Sequence, residues 1–148
     1  MAARLAVTLD SNVLVAALKA DEASHGRCAE VVRRVAEAFL LSEPSIIYQE
    51  VCGTLARRVG ADVADAAKEA LDNMIDPRLL VSCDRAFCTS AYRLCGEYGV
   101  YAIDALYLKV ALDSSAILVS LDKEDFVDRL KKRAEPAVEA YHVSDFPY

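Results

Sequence analysis

LAVTLDSNVL, running from Leu5 to Leu14, is the stretch on which the reading of the fold turns. A run rich in strand-forming residues stops at Asp10-Ser11-Asn12, and an apolar helical pattern begins at once. A strand that ends in an acid and turns directly into a helix is the opening of a parallel α/β unit. In such sheets the ligand lies beyond the carboxyl ends of the strands. Asp10 therefore invites a search for other acids that later segments would bring beside it.

Working outward, strand patterns are expected at Arg4–Leu9, Phe39–Leu41, Arg78–Cys83, Ala116–Ser120 and Val138–Val143. Helical patterns fall between them, at Asn12–Ala20, Asp21–Phe39, Asp62–Met74, Asp84–Tyr98, Ile103–Asp113 and Asp125–Arg133. A further helix is predicted to open at Ser42-Glu43-Pro44, because proline is tolerated in a first turn, and to run to about Val59. Gly60, Asp76-Pro77 and Gly99 read as stops, and a polar tail closes the chain. Strands alternating with long helices predict one α/β domain over residues 1–148, a three-layer α/β/α sandwich with a mostly parallel central sheet. In that architecture the strand order reverses beside the first strand, and the crevice there is the binding site.

The composition suits this. A chain of 148 residues, 55% hydrophobic, with five glycines and four prolines, has the material for one compact core and little linker. Its apolar runs fall short of the roughly 20 residues a membrane span needs. The start, MAARLAVTLD, meets an acid within ten residues and does not resemble a secretory signal, so a cytoplasmic protein is expected. Five cysteines without a CxxC pair indicate neither a zinc site nor a redox motif. The net charge of −6 at first opposes a polyanionic partner. However, acids outnumber bases only 23 to 17, so setting four acids aside in one metal-binding cluster nearly balances the rest.

Four acids stand out. Asp10 and Asp122, the latter in ILVSLDKEDF, each follow an apolar strand and precede a helix. Ser120 lies two residues before Asp122 and points to the same side by strand alternation. Glu50, in PSIIYQEVCGTLARRVG, sits mid-helix among apolar residues, where an uncompensated carboxylate is costly. Asp104, in YAIDALYLKVAL, lies inside a helix whose neighbours belong to the core, and aspartate is a poor helix-interior residue. Each has a plain alternative: Asp10 and Asp122 as helix N-caps, Glu50 and Asp104 paired with arginine. All four converge on one crevice in the fold just argued, however. Close carboxylates repel by about 4 kcal/mol per pair at an effective dielectric near 20, so a cluster of four needs cations or protons. All-oxygen ligation with no His or Cys suits Mg²⁺ or Mn²⁺. Such ions activate water and stabilise a leaving oxyanion, the requirements of phosphodiester hydrolysis.

Together these segments resemble the PIN-domain family of metal-dependent ribonucleases, especially the small single-domain VapC-type toxins. LDSNVL is similar to the family's opening motif, with Asp10 as first ligand and Ser11 and Asn12 beside it. Glu50 matches the acid of the mid-chain helix, GEYGVYAIDALYLKVAL the third motif with Asp104, and LVSLDKEDF the fourth with Ser120 and Asp122. The resemblance implies cleavage of single-stranded RNA by a metal-activated water. Asp10, Glu50, Asp104 and Asp122 would bind Mg²⁺ or Mn²⁺, with Asn12 and Ser120 orienting them. It also implies a homodimer and, for a toxin, a cognate antitoxin. One departure is that Phe126 follows Asp122 by four residues, where many members have three; this leaves open whether Asp125 assists the site or is only solvated, the second reading being favoured. Two other readings stay open. One is a PIN-like module that docks RNA or protein without cutting. The other is a haloacid-dehalogenase-type phosphatase with Asp10 as nucleophile, which would want an acid where this chain has Asn12. Arg57, Arg58, Lys19, Lys109 and Lys123 are candidates to line a phosphate approach, or are cations at helix ends. The run Lys131-Lys132-Arg133 reads as a solvated face.

Overall fold

A computed structural model of the chain describes residues 3–133 and 138–148. Five strands, β1 (Ala6–Leu9), β2 (Leu40–Pro44), β3 (Ile75–Val81), β4 (Ile117–Ser120) and β5 (Ala140–His142), form one sheet in the order β3-β2-β1-β4-β5. Every pairing is parallel. Val7 faces both Leu41 of β2 and Ile117 of β4, so the strand order reverses at β1, and the crevice falls between β1 and β4. The central strands are apolar almost throughout, as strands covered on both faces must be: Val7, Leu9, Leu118 and Val119 are wholly buried.

The helices complete an α/β/α sandwich. The first pair, α1 (Ser11–Leu18) and α2 (His25–Ala38), pack on each other and reach β4 and β2. After β2 a helical segment runs as α3 (Ile46–Tyr48), a π-helical turn (Gln49–Gly53) and α4 (Thr54–Arg58), with α5 (Ala61–Met74) against it. Then α6 (Arg85–Tyr98) lies on α7 (Ala102–Ser114), which crosses β1, β2 and β4. A second π-helical turn (Lys123–Val127) leads into the short α8 (Asp128–Lys131). Among the described residues no helix is long and apolar enough to cross a membrane.

The expected elements are present, with local corrections. Ser42-Glu43-Pro44 does not open a helix but ends β2. The residue before a proline is sterically driven out of the α region, which favours an extended Glu43, and the helix begins only after Ser45. Asp76-Pro77 is not a breaker either and lies inside β3. This is an edge strand, where a missing N–H is tolerated. The polar tail is in fact anchored: Phe146 is buried, packs on Phe39 at 6.0 Å between ring centroids, and has its carbonyl held by Arg27 at 2.9 Å. All five cysteines are free thiols.

Candidate active site

At the carboxyl end of β1, Asp10 is only 4% exposed. Although it occupies the N-cap position of α1, its side chain makes no capping bond to that helix, so capping does not account for it. Its Oδ2 instead accepts a 2.7 Å hydrogen bond from Ser120 Oγ, at the end of β4. Ser120 is a junction, since its hydroxyl oxygen also accepts from the Asp122 amide at 3.0 Å. Asn12 faces the same point: its Oδ1 accepts from Leu121 N at 3.2 Å and its Nδ2 stands 3.4 Å from Ser120 Oγ. Asp122 does cap the turn after it, accepting from Asp125 N at 3.0 Å through Oδ1.

Glu50 enters from the π-helical turn, a wide turn that recurs at functional sites. Its Oε1 accepts a 2.7 Å hydrogen bond from the hydroxyl of Tyr107, a wholly buried residue on α7. Asp104 lies one turn earlier on α7. It falls in the first turn and not in the interior, so its presence there is favourable to the helix dipole and needs no special explanation on propensity grounds. What marks it is its surroundings. Burial raises Asp104 to about 7, with the charges of Asp10, Asp122, Glu50 and Asp125 adding to the rise. Burial likewise raises Asp10 to about 6, against the Ser120 hydrogen bond and with help from Glu50 and Asp122. The four acids thus feel one another, and among the described residues none of them has a Lys, Arg or His ion-pair partner.

As they stand, no three His, Cys, Asp or Glu side chains among the described residues lie close enough together to hold a metal ion. An open all-oxygen set is what Mg²⁺ tolerates, since it keeps several waters and is held by one or two carboxylates plus substrate phosphate oxygens. A cleft of about 300 Å³ opens beside Glu50, the one of the four acids that lines it, with Asn12, Glu22, Thr54, Arg58 and Leu121 among its other walls. Arg58 reaches it with only a loose 3.9 Å contact to Glu22. By contrast, Lys19 is occupied by Asp21 and Lys109 by Asp113.

Two buried partners of the site escaped the sequence reading. One is Tyr107, whose apolar ring at a core position hides a hydroxyl aimed at Glu50. The other is Glu43 of β2, wholly buried, whose Oε1 accepts from Leu9 N at 2.7 Å. Its burial holds it well above the usual carboxylate range, and the neighbouring Asp10 adds to this. An acid within LLSEPSII was the available signal, masked because a helix first turn commonly carries one. The one-residue lengthening after Asp122 is taken up by the π-helical turn, which keeps Phe126 wholly buried. Asp125 is not simply solvated, for its Oδ1 binds Arg129 at 3.2 Å.

The fold agrees with the comparisons. The PIN domain family matches residues 7–132, and the chain belongs to that family. No curated protein sequence matches. Similar folds occur in VapBC2 from Rickettsia felis bound to a promoter DNA fragment, at 12% identity and a TM-score of 0.64 over 93% of this chain and 98% of that one. A toxin–antitoxin complex from Klebsiella pneumoniae aligns at 17% identity and a TM-score of 0.65, covering 89% and 94%. Mycobacterium tuberculosis VapC20, a sarcin–ricin loop cleaving toxin, aligns at 18% identity and a TM-score of 0.63, covering 80% and 91%.

Proposed function

We propose that this PIN-domain protein is an Mg²⁺- or Mn²⁺-dependent endoribonuclease that cleaves single-stranded RNA, and that it is the toxin of a toxin–antitoxin pair. The observation that carries this reading is that Asp104 is partly buried and within the field of Asp10, Asp122 and Glu50, so that burial first and their charges second raise it to about 7. A group of acids that destabilise one another's charged forms is matched by divalent cations and by a phosphodiester brought in with them. The bound ion would supply a nucleophilic water near neutral pH and charge for the leaving oxygen. Asp10, Glu50, Asp104 and Asp122 are assigned as its direct or water-mediated ligands. Ser120 and Asn12 hold Asp10 and the Leu121–Asp122 backbone in place, and Tyr107 fixes the rotamer of Glu50. The cleft at Thr54 and Arg58 is the place for a nucleotide next to the cleaved bond.

The similar structures contain toxin–antitoxin assemblies, which supports an antitoxin partner and, with the exposed apolar side chains Tyr101 and Ile103 beside Asp104, a homodimer. A phosphatase with Asp10 as nucleophile gains no support. The residue two positions on is Asn12, and its carboxamide is engaged by Leu121 and Ser120.

Asp104→Asn tests the proposal. It should reduce Mg²⁺- or Mn²⁺-dependent cleavage of single-stranded RNA by at least about 10²-fold. At pH 8 it should also raise the stability of the metal-free protein by about 1–2 kcal/mol, because one repelling charge is gone. A variant that cuts RNA as fast as the wild type removes this site from consideration. Cleavage by the wild type that survives EDTA rejects the metal, and intact binding of RNA without cleavage favours a docking module.

A further inference from the structure

A second feature lies on α8, linked through Asp125 to Asp122. Tyr98, Gly99, Arg129, Lys132 and Arg133 line a pocket of about 260 Å³ where the end of α6 meets α8. We propose that this pocket is a phosphate-binding subsite for single-stranded RNA, gripping the backbone to one side of the cleaved bond. The subsite rests on the nuclease reading above and extends it to how the strand is held.

Three observations carry it. The first is composition: three of the five lining residues are cationic, on a chain whose net charge is −6. A polyanion approaching the four acids is repelled, and local Lys and Arg contacts that release counterions are the general way to offset this. Secondly, the pocket is joined to Asp122 by two hydrogen bonds. Arg129 Nη2 donates to Asp125 Oδ1 at 3.2 Å, and Asp125 N donates to the Asp122 carboxylate at 3.0 Å.

The third is that the cations are arranged and not merely solvated. Gly99 ends α6 with φ at +69°, and a β-carbon there would stand 3.3 Å from Arg129 Nη1. The absence of a side chain lets that guanidinium lie against the backbone, with one edge on Asp125 and the other toward the pocket. Arg133 Cζ sits over the Tyr98 ring, 5.4 Å from its centroid, a cation–π contact that places a second guanidinium at the pocket. Guanidinium groups suit bidentate contact with phosphate. Among the described residues neither Lys132 nor Arg133 has an acidic partner.

The test separates binding from turnover. A fluorescein-labelled single-stranded oligouridylate is titrated, over a range of salt, against protein carrying Asp104→Asn, with and without Arg129→Gln/Lys132→Gln/Arg133→Gln. Loss of three phosphate contacts should lower the slope of log affinity against log salt by about 2 and weaken binding roughly ten- to hundredfold at 0.1 M salt. Lys132→Gln/Arg133→Gln alone leaves the Arg129–Asp125 contact intact and should lower the slope by about 1.4, so misfolding of the triple variant cannot mimic the result. In the otherwise wild-type protein the double variant should raise KM for a long RNA while kcat, and the cleavage of a dinucleotide too short to reach the pocket, stay unchanged. An unchanged slope, or no binding of the oligonucleotide before any substitution, overturns the subsite. Loss of slope in a protein that never cleaves overturns the nuclease reading, and with it the subsite's place beside a cleaved bond, while still supporting phosphate binding at this pocket.

Discussion

Glu43 shows how much one side chain depends on its surroundings. Its carboxyl group takes the place of a strand partner for Leu9 N, yet its other oxygen, Oε2, has no hydrogen-bond partner among the described residues. Burial raises its pKa well above the usual range, so the folded protein binds a proton there that the unfolded chain has already released. The stability from that proton is present at low pH and is lost as pH rises through the folded value. Glu43→Gln keeps the acceptor for Leu9 and cannot ionise, so its urea-unfolding free energy should decline less toward alkaline pH than that of the wild type. Glu43→Ala opens a cavity and strands the Leu9 amide, at a cost of about 2–4 kcal/mol. Identical pH profiles for wild type and Glu43→Gln would show that Glu43 is not the titrating group.

At the scale of elements, the π-helical turns adjust where side chains arrive. Gln49–Gly53 delivers Glu50 to the site, and Lys123–Val127 takes up an extra residue without expelling Phe126. Two glycines at helix junctions differ in what they permit. Gly53 has ordinary helical angles, φ −63° and ψ −41°, and a β-carbon there would meet only the end of the flexible, exposed Gln49 side chain at 3.3 Å. Gly53→Ala should therefore stabilise by about 0.5–1 kcal/mol through the lower entropy of the unfolded chain. Gly99→Ala should do the opposite, by about 1 kcal/mol or more, because its φ is +69° and the new methyl crowds Arg129. Thermal unfolding of the two variants checks both signs, and a stabilised Gly99→Ala would contradict the description of that turn.

For the molecule as a whole, the crowded acids predict an unusual pH response. Asp10 and Asp104 hold protons up to about 6 and about 7, above their unfolded value near 3.8. The folded state therefore binds more protons than the unfolded one across this window, and metal-free stability should fall as pH rises from about 4 to 7. A divalent ion that binds only the folded state should reverse this, and its effect on Tm should grow over the same range as the acids give up their protons. Differential scanning fluorimetry in EDTA and in Mg²⁺ between pH 5 and 8 measures both trends. A Tm indifferent to Mg²⁺ and Mn²⁺ at pH 8 would remove the metal-binding role assigned to the acids.

The alternation of strands and helices and the placement of Asp10 and Asp122 at strand ends were legible in the sequence. They rest on local periods and on residues whose backbone preferences act within a few positions, as at Asp10-Ser11-Asn12. The same locality misplaced Glu43 and Pro44 in a helix, because a proline before a helix looks alike whether it ends a strand or opens a turn. Only the tertiary structure decided that β4 lies against β1, so that Ser120 can hold Asp10 across 110 residues of chain. It alone placed Tyr107 against Glu50, and Arg129 and Arg133 about Tyr98 and Gly99. These contacts join segments distant in sequence. Their energies come from burial and from charges brought close in a low-dielectric interior, which no local pattern encodes.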